Sequence, residues 1–373
     1  ENWMSGIPAV PGSGYGSPAE HLLSSMMASI TASFARKKTI ISGYFDSFFE
    51  KISDDLSLFR ESLSWHGRLK NFLSKGKMIR GGLLLITEEF YRGENSSQGT
   101  AAGAAMELLQ AGLLIHDDIM DRDILRRGGP SLFHQYQRLV HERKGSDPEH
   151  TGMSMGMCLG DLAFFLAMNA LSGSSSLWSL VTRELSVVSL AQMRDVLNGS
   201  LDAAGSRQDI LKLYAHKTGR YTFSLPLMAG AILGEAPGSD VECLGGLGED
   251  LGIMFQLKDD EIGMFGDPSE TGKPADSDIT EGKITCLISA ALESAEPAQR
   301  DRIRSILADP EPSREDADFV RQTVKQSGAL REVRELMNRY ASAAEQKINA
   351  LSISREGACF LRELISYNME RRS

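Results

Sequence analysis

The sequence predicts an all-α protein, a single large helical bundle. Three observations carry this. Apolar residues recur at i, i+3, i+4 spacing in almost every stretch between Pro18 and Arg372. No run of alternating β-branched residues interrupts that period. Clusters of Gly, Pro and Ser cut the pattern into about a dozen helix-length pieces or more, which is bundle architecture.

Length and composition fit that class. The chain has 373 residues, 42% hydrophobic and 24% charged, an ordinary globular balance. We expect residues 1–18 to form a flexible leader and residues 19–373 one domain. The first residue is Glu, as in a chain that starts after processing. A net charge of −10 argues against nucleic acid as a partner. Cys158, Cys243, Cys286 and Cys359 are too scattered for a zinc knuckle or redox pair. They read as reduced thiols of a cytoplasmic protein. No transmembrane helix is expected, residues 101–116 coming closest but being interrupted by Glu107 and Gln110.

Taken in order, the leader carries Pro8, Pro11 and Pro18 among several glycines. From Pro18 to Asp54 an amphipathic pattern runs through Leu22, Ile30, Phe34, Phe45 and Phe49, with a break expected at Gly43. Residues 66–91 hold Gly76-Lys77-Met78-Ile79-Arg80 before an apolar run. Lys77 and Arg80 are expected on one helix face, where they bind phosphate or form a solvated surface. Residues 100–121 form a helix whose Ala101–Ala105 run permits close packing. It ends in Asp117-Asp118-Ile119-Met120-Asp121, followed by Arg126-Arg127-Gly128. His134, His141 and His150 fit no helical metal pair and read as surface residues.

Gly152–Leu171 and Ser176–Leu201 continue the helical pattern. Ser206, with Asp209 three residues on, is a helix start resembling a capping box. Lys217-Thr218-Gly219 within the next helical stretch predicts a local kink. Ser239–Phe265 carries the second acidic pair, Asp259-Asp260, behind Phe255-Gln256. A polar loop from Thr271 to Lys283, short enough for a lid, precedes helices that run to the C-terminus with breaks near Pro310–Pro312 and Ser352–Ser354.

Asp117 and Asp121 are four residues apart and share a helix face. Two carboxylates there repel unless a cation lies between them. Hard oxygen donors suit Mg²⁺, completed by water and substrate phosphates. If the helix bearing Asp259 faces this one, the acids converge on a cavity whose apolar wall is the run before Asp117. Nearby lysines and arginines supply the charge that a diphosphate needs.

These residues resemble the trans-type isoprenyl diphosphate synthases, the polyprenyl synthetase family of geranylgeranyl diphosphate synthase-like enzymes. The resemblance rests on Gly76-Lys77-x-x-Arg80, Asp117-Asp118-x-x-Asp121, Arg126-Arg127-Gly128, Gly160-Asp161, Lys217-Thr218, Phe255-Gln256-x-x-Asp259-Asp260, and Gly272-Lys273 through Lys283. It implies the isoprenoid synthase bundle with a central apolar cavity, usually as a homodimer. It implies head-to-tail 1′-4 condensation of isopentenyl diphosphate with a dimethylallyl, geranyl or farnesyl diphosphate.

By the same resemblance, Asp117, Asp121 and Asp259 would hold three Mg²⁺ ions, with Asp118 and Asp260 acting through water or as orienting groups. Arg126, Lys217 and Lys273, with Lys283 close by, would grip the allylic diphosphate. Lys77, Arg80, Gln110 and Arg127 would hold isopentenyl diphosphate. Thr218 and Gln256 would turn their oxygens toward the carbocation. The second acidic motif departs from the family in having Gly263 where a third aspartate is usual.

Product length is expected from the residues below Asp117. Gly112 lies about 7.5 Å deeper by helix rise. Short-chain relatives place aromatic rings at this position and the next, whereas this chain has Gly112 and Leu113, with Leu109 and Met106 further down. A C20 geranylgeranyl product is expected, with C25 or longer as the alternative, and Phe164 or Phe165 closing the shaft from a neighbouring helix. Two rivals are a terpene cyclase, whose second metal motif is absent here, and a non-catalytic regulatory subunit, which would be free to lose the acids and lysines this chain retains.

Overall fold

A computed structural model describes residues 18–201, 206–267 and 277–371. The described residues are almost wholly helical, as the period predicts. The order is α1 (Pro18–Asp55), α2 (Ser62–Ser74), α3 (Ile79–Arg92), α4 (Ser97–Met120), α5 (Leu132–Glu142), α6 (Pro148–Ala170), α7 (Ser175–Leu201) and α8 (Arg207–Leu213). A π-helix (Tyr214–Ser224) leads into α9 (Leu225–Leu233) and α10 (Gly238–Phe265). Then come α11 (Ser277–Thr280), α12 (Cys286–Ser294), α13 (Pro297–Leu307), α14 (Arg314–Gln326), α15 (Ala329–Ala350) and α16 (Arg355–Glu370). The leader up to Ser17 and Lys273 lie outside the described residues.

Local chemistry accounts for the helix ends. Ser96 accepts from the Gly99 N–H at 2.8 Å and so caps α4. Ser206 and Asp209 form the full reciprocal capping box of α8. Ser313 and Ser354 cap α14 and α16, after the expected breaks, by accepting from the Asp316 and Gly357 N–H groups.

Three expectations are corrected. Gly43 does not break α1, which runs through it on an exposed face with open space around its Cα. Lys77 is not on the face of α3: Met78 adopts a left-handed conformation (φ 55°) and the helix starts at Ile79, so Lys77 precedes its N-terminus. Residues 101–116 are not the most span-like stretch. Among the described residues α6 is, by length and composition, with a mean hydropathy of 1.4 over an 18-residue window. It packs against α4 and α5 and buries Gly152, Gly156, Leu159, Gly160, Ala163, Leu166 and Ala167.

The chain divides into two compact units. The N-terminal unit is Ala32–Leu180 with Ala229–Ala236. Its centre is α4, where Ala104, Ala105, Met106, Leu108 and Ala111 are fully buried. Small residues bring α3 close to it: a Cβ on Gly81 would lie 2.3 Å from the Gly103 carbonyl oxygen. The Gly81 N–H donates to the buried Glu107 carboxylate at 2.8 Å across that contact.

The C-terminal unit is Glu1–Thr31, Val181–Met228 and Pro237–Ser373. Here α10 is central, packed on the π-helix, α15 and α16. Leu257, Cys286, Leu287, Ile303, Val320 and Val324 are among the wholly buried side chains of its core. All four cysteines are free, Cys158 and Cys359 at the surface.

Candidate active site

In the N-terminal unit, α4 ends on the first acidic motif. Asp117 is half-buried, and Asp121 is the exposed C-cap residue whose N–H returns to the Asp117 carbonyl at 2.9 Å. Asp118 is buried at 1% exposure and is held by Arg126, whose Nε donates to Oδ1 at 2.5 Å. Arg126 also reaches Asp123 at 3.0 Å. Burial pushes the Asp118 carboxyl up to about 7, with Arg126 working against it and the neighbouring Asp117 and Asp123 adding to it. Its Oδ2 is buried without a partner, an acceptor suited to a donor that arrives with a ligand.

Arg126 and Arg127 sit on a feature absent from the sequence expectation, a two-residue antiparallel ladder pairing Leu125 with Pro130 and Arg126 with Gly129. Its turn residues, Arg127 (φ 53°) and Gly128 (φ 72°), both have positive φ, as a type I′ hairpin requires. A left-handed arginine is strained by about 1–2 kcal/mol. The turn directs Arg127 back to α2, where Nη1 donates to the Phe72 carbonyl at 2.7 Å and the guanidinium stacks 4.5 Å over the Phe72 ring. A Cβ on Gly76 would lie 2.9 Å from Nη1. Arg127 thus packs against the residue before Lys77, close to the start of α3 and Arg80. Lys38, unassigned from sequence, donates to the Gly76 carbonyl at 2.7 Å and fixes the same turn.

Deeper along α4, Gln110, Leu109 and Gly112 are buried and Leu113 is half-buried. The Phe164 ring from α6 lies against Gly112, so close that a Cβ there would be 2.7 Å from it. Phe165 is 65% exposed, so of the two it is Phe164 that covers this position. His116 meets the Phe164 ring edge-on at 5.4 Å and approaches Asp161 at 3.6 Å.

In the C-terminal unit the expected kink is the π-helix, an i→i+5 winding that accompanies functional sites and carries Lys217, Thr218 and Gly219. Gly252 of α10 crosses it in near backbone contact with Gly219. That approach lets the Thr218 hydroxyl donate to Gln256 Oε1 at 3.0 Å. Lys217 donates to Asp195 of α7 at 2.5 Å.

The second acidic pair lies one turn beyond Gln256. Asp259 is half-exposed and bound by Arg371. Asp260 is buried and accepts from the Tyr214 hydroxyl at 2.6 Å and the Cys286 N–H at 3.2 Å. Burial pushes its carboxyl up to about 8, opposed by Lys283 and Tyr214. Burial and Asp260 together keep the Tyr214 phenol protonated. At Lys283, desolvation is outweighed by Asp278, Asp260, Asp195 and Glu281, which hold its pKa above the ordinary value.

Asp195, Tyr214, Asp278 and Arg371 were not singled out from sequence. Asp195 is a lone acid on an amphipathic helix, and Arg371 belongs to no motif. Asp278 bears on the missing third aspartate: a Cβ on Gly263 would lie 2.7 Å from its Oδ2.

Among the described residues no three acidic, histidine or cysteine side chains enclose a cation by themselves. Carboxylates presented singly or in pairs fit Mg²⁺, which takes few protein ligands and completes its shell with water and phosphate oxygens. Each acidic helix end, taken within its own unit and beside fixed guanidinium or ammonium groups, suits a polyanion carried by a divalent cation.

Comparison with known proteins agrees. Residues 67–325 match the polyprenyl synthetase family. The geranylgeranyl diphosphate synthase of Sulfolobus acidocaldarius is 30% identical over 300 residues, covering 75% of this chain and 85% of that protein. The geranylfarnesyl diphosphate synthase of Aeropyrum pernix is 29% identical over 313 residues, 79% of this chain and 90% of that one. A crystal structure of the Corynebacterium glutamicum geranylgeranyl pyrophosphate synthase, complexed with isoprenyl diphosphate and magnesium, has a TM-score of 0.81 at 28% identity, covering 90% of this chain and 99% of that one. The chain belongs to the polyprenyl synthetase family. It is an isoprenyl diphosphate synthase, a prenyltransferase that elongates prenyl chains.

Proposed function

We propose that the chain condenses isopentenyl diphosphate head-to-tail with an allylic diphosphate and releases geranylgeranyl diphosphate. Asp117, Asp121 and Asp259 would hold Mg²⁺, three ions in all, and the bound metal would supply Lewis-acid charge to the departing allylic diphosphate. Arg126 keeps Asp118 in place, and Tyr214 does the same for Asp260. Lys217, Lys283, Lys273 and Arg126 meet the allylic diphosphate, while Lys77, Arg80, Arg127 and Gln110 meet isopentenyl diphosphate. The Thr218 hydroxyl spends its proton on Gln256, so its lone pairs stay available to the allylic cation. A preoriented oxygen of this kind stabilises charge as it develops.

The observation that supports the C20 length is that α4 presents Gly112 and Leu113 where short-chain relatives present rings, with Phe164 of α6 bounding the space beside Gly112. At this height α4 itself has no ring, and the one beside Gly112 belongs to the neighbouring α6. A C25 product is the second reading, favoured by the likeness to the Aeropyrum pernix geranylfarnesyl enzyme. A cytoplasmic homodimer is part of the same proposal, supported by the free cysteines and the family.

The test is incubation of the purified chain with isopentenyl diphosphate and each of dimethylallyl, geranyl and farnesyl diphosphate, with Mg²⁺ or with chelator. We expect C20 product in the presence of Mg²⁺ and none with chelator. No elongation of any primer sinks the catalytic reading in favour of a regulatory subunit. A C25 or longer product overturns the length alone.

A further inference from the structure

We propose that Arg371 is a positioning residue for Asp259, so that the C-terminal helix sets the geometry of the second acidic wall. This rests on the reading of Asp259 as a metal ligand. Arg371 caps the end of α16 and is 5% exposed. Its Nη2 donates to Asp259 Oδ1 at 2.5 Å and to the Phe255 carbonyl at 2.8 Å. Its guanidinium carbon lies 4.0 Å over the Phe255 ring. Phe255 and Asp259 are one turn apart on α10, so one planar cation grips a single helix face at three points.

The grip is asymmetric. The Asp259 side chain is 41% exposed, whereas that of Arg371 is 3% exposed. An exposed ion pair contributes little because both ends move. Here the cationic end is buried, stacked and bonded to the backbone, so the carboxylate is the partner that is oriented. Oδ1 is engaged, and the carboxylate keeps an open side on which Oδ2 can meet a cation. A lysine reproduces this only in part: its ammonium can donate to both acceptors, but it has no flat, delocalised face to stack on Phe255. Asp260 next door has its own holders in Tyr214 and the Cys286 N–H. Each carboxylate of the pair is therefore fixed by a different element.

Outer partners of a metal-binding carboxylate characteristically change metal affinity 10–100-fold when removed. The experiment is calorimetric titration of the full chain with Mg²⁺ in the presence of inorganic pyrophosphate, for wild type, Arg371→Lys and Arg371→Met. Ligand-free melting of each is recorded alongside, and kcat is measured at saturating Mg²⁺.

We expect Arg371→Met to lose Mg²⁺ affinity by about tenfold or more, and Arg371→Lys by less. The Mg²⁺ needed for half-maximal rate should rise more than kcat falls. Unchanged Mg²⁺ affinity with a lowered melting temperature would make Arg371 a helix anchor and overturn the proposal. Tighter Mg²⁺ binding would overturn it too, by making the guanidinium a competitor of the metal. Should Arg371→Met fail to fold, Arg371→Lys decides, since it keeps the charge and the stem. Wild type that binds no Mg²⁺ with pyrophosphate would overturn the metal-ligand reading itself, a result distinct from equal binding by wild type and variant.

Discussion

Gly219 of the π-helix and Gly252 of α10 meet backbone to backbone: a Cβ on Gly252 would lie 2.0 Å from the Gly219 Cα. No rotamer change relieves that contact, because the obstruction is main chain. Gly252→Ala must push α10 off the π-helix and part Thr218 from Gln256. We expect a loss of stability at or above the upper end of the roughly 1–3 kcal/mol typical of overpacking, and a fall in kcat of at least tenfold in whatever folds. Gly43→Ala is the control. It sits mid-helix in open space and should gain about 0.5–1 kcal/mol from helix propensity. Thermal melts of the two variants check both signs, and a Gly252→Ala protein as stable as wild type would refute the close crossing.

Phe164 is the second lever. If its ring closes the space beside Gly112, Phe164→Ala should shift product toward chains one isoprene unit longer. Gly112→Phe should shorten the product, but only by displacing Phe164. The double variant Gly112→Phe with Phe164→Ala should therefore fold better than Gly112→Phe alone and still give the shorter chain. Chromatographic product lengths read this directly, and an unaltered length in Phe164→Ala would place the floor elsewhere.

Asp118 predicts a pH dependence of the ligand-free protein. Its carboxyl is raised from 3.8 in the unfolded chain to about 7 in the fold, chiefly by burial. The folded state then binds the proton more tightly than the unfolded state. The stability this contributes is present below about pH 4 and is lost as pH rises through about 7. Asp118→Asn cannot ionise, so its melting temperature relative to wild type should climb between pH 4 and pH 7 and level off beyond. A flat difference across that window would show that Asp118 titrates normally.

Much of this architecture is legible in the sequence because it is local. The helix start at Ser206 follows from a side chain three residues from its partner. The spacing of Asp117 and Asp121 fixes a shared face before any fold is known. What escapes is set by distant packing or by strained backbone. Arg371 reaches Asp259 across 112 residues, and nothing near either residue encodes that meeting. Lys77 falls off its expected helix because Met78 turns left-handed, a conformation that methionine does not advertise. The hairpin at Arg126–Gly129 carries Arg127-Gly128 at its turn instead of a familiar Asn-Gly signal. Gly219 announces a kink, but its π winding depends on the fit against Gly252.

Gly263 gains a different meaning from its neighbour. Asp278 already places a carboxylate oxygen where a side chain at 263 would begin. An engineer who restored the family's usual aspartate there would be crowding two anions into one space rather than repairing a gap. For sequence design within this family, positions 263 and 278 are best varied as a pair, and a single exchange at either one starts from the wrong charge count.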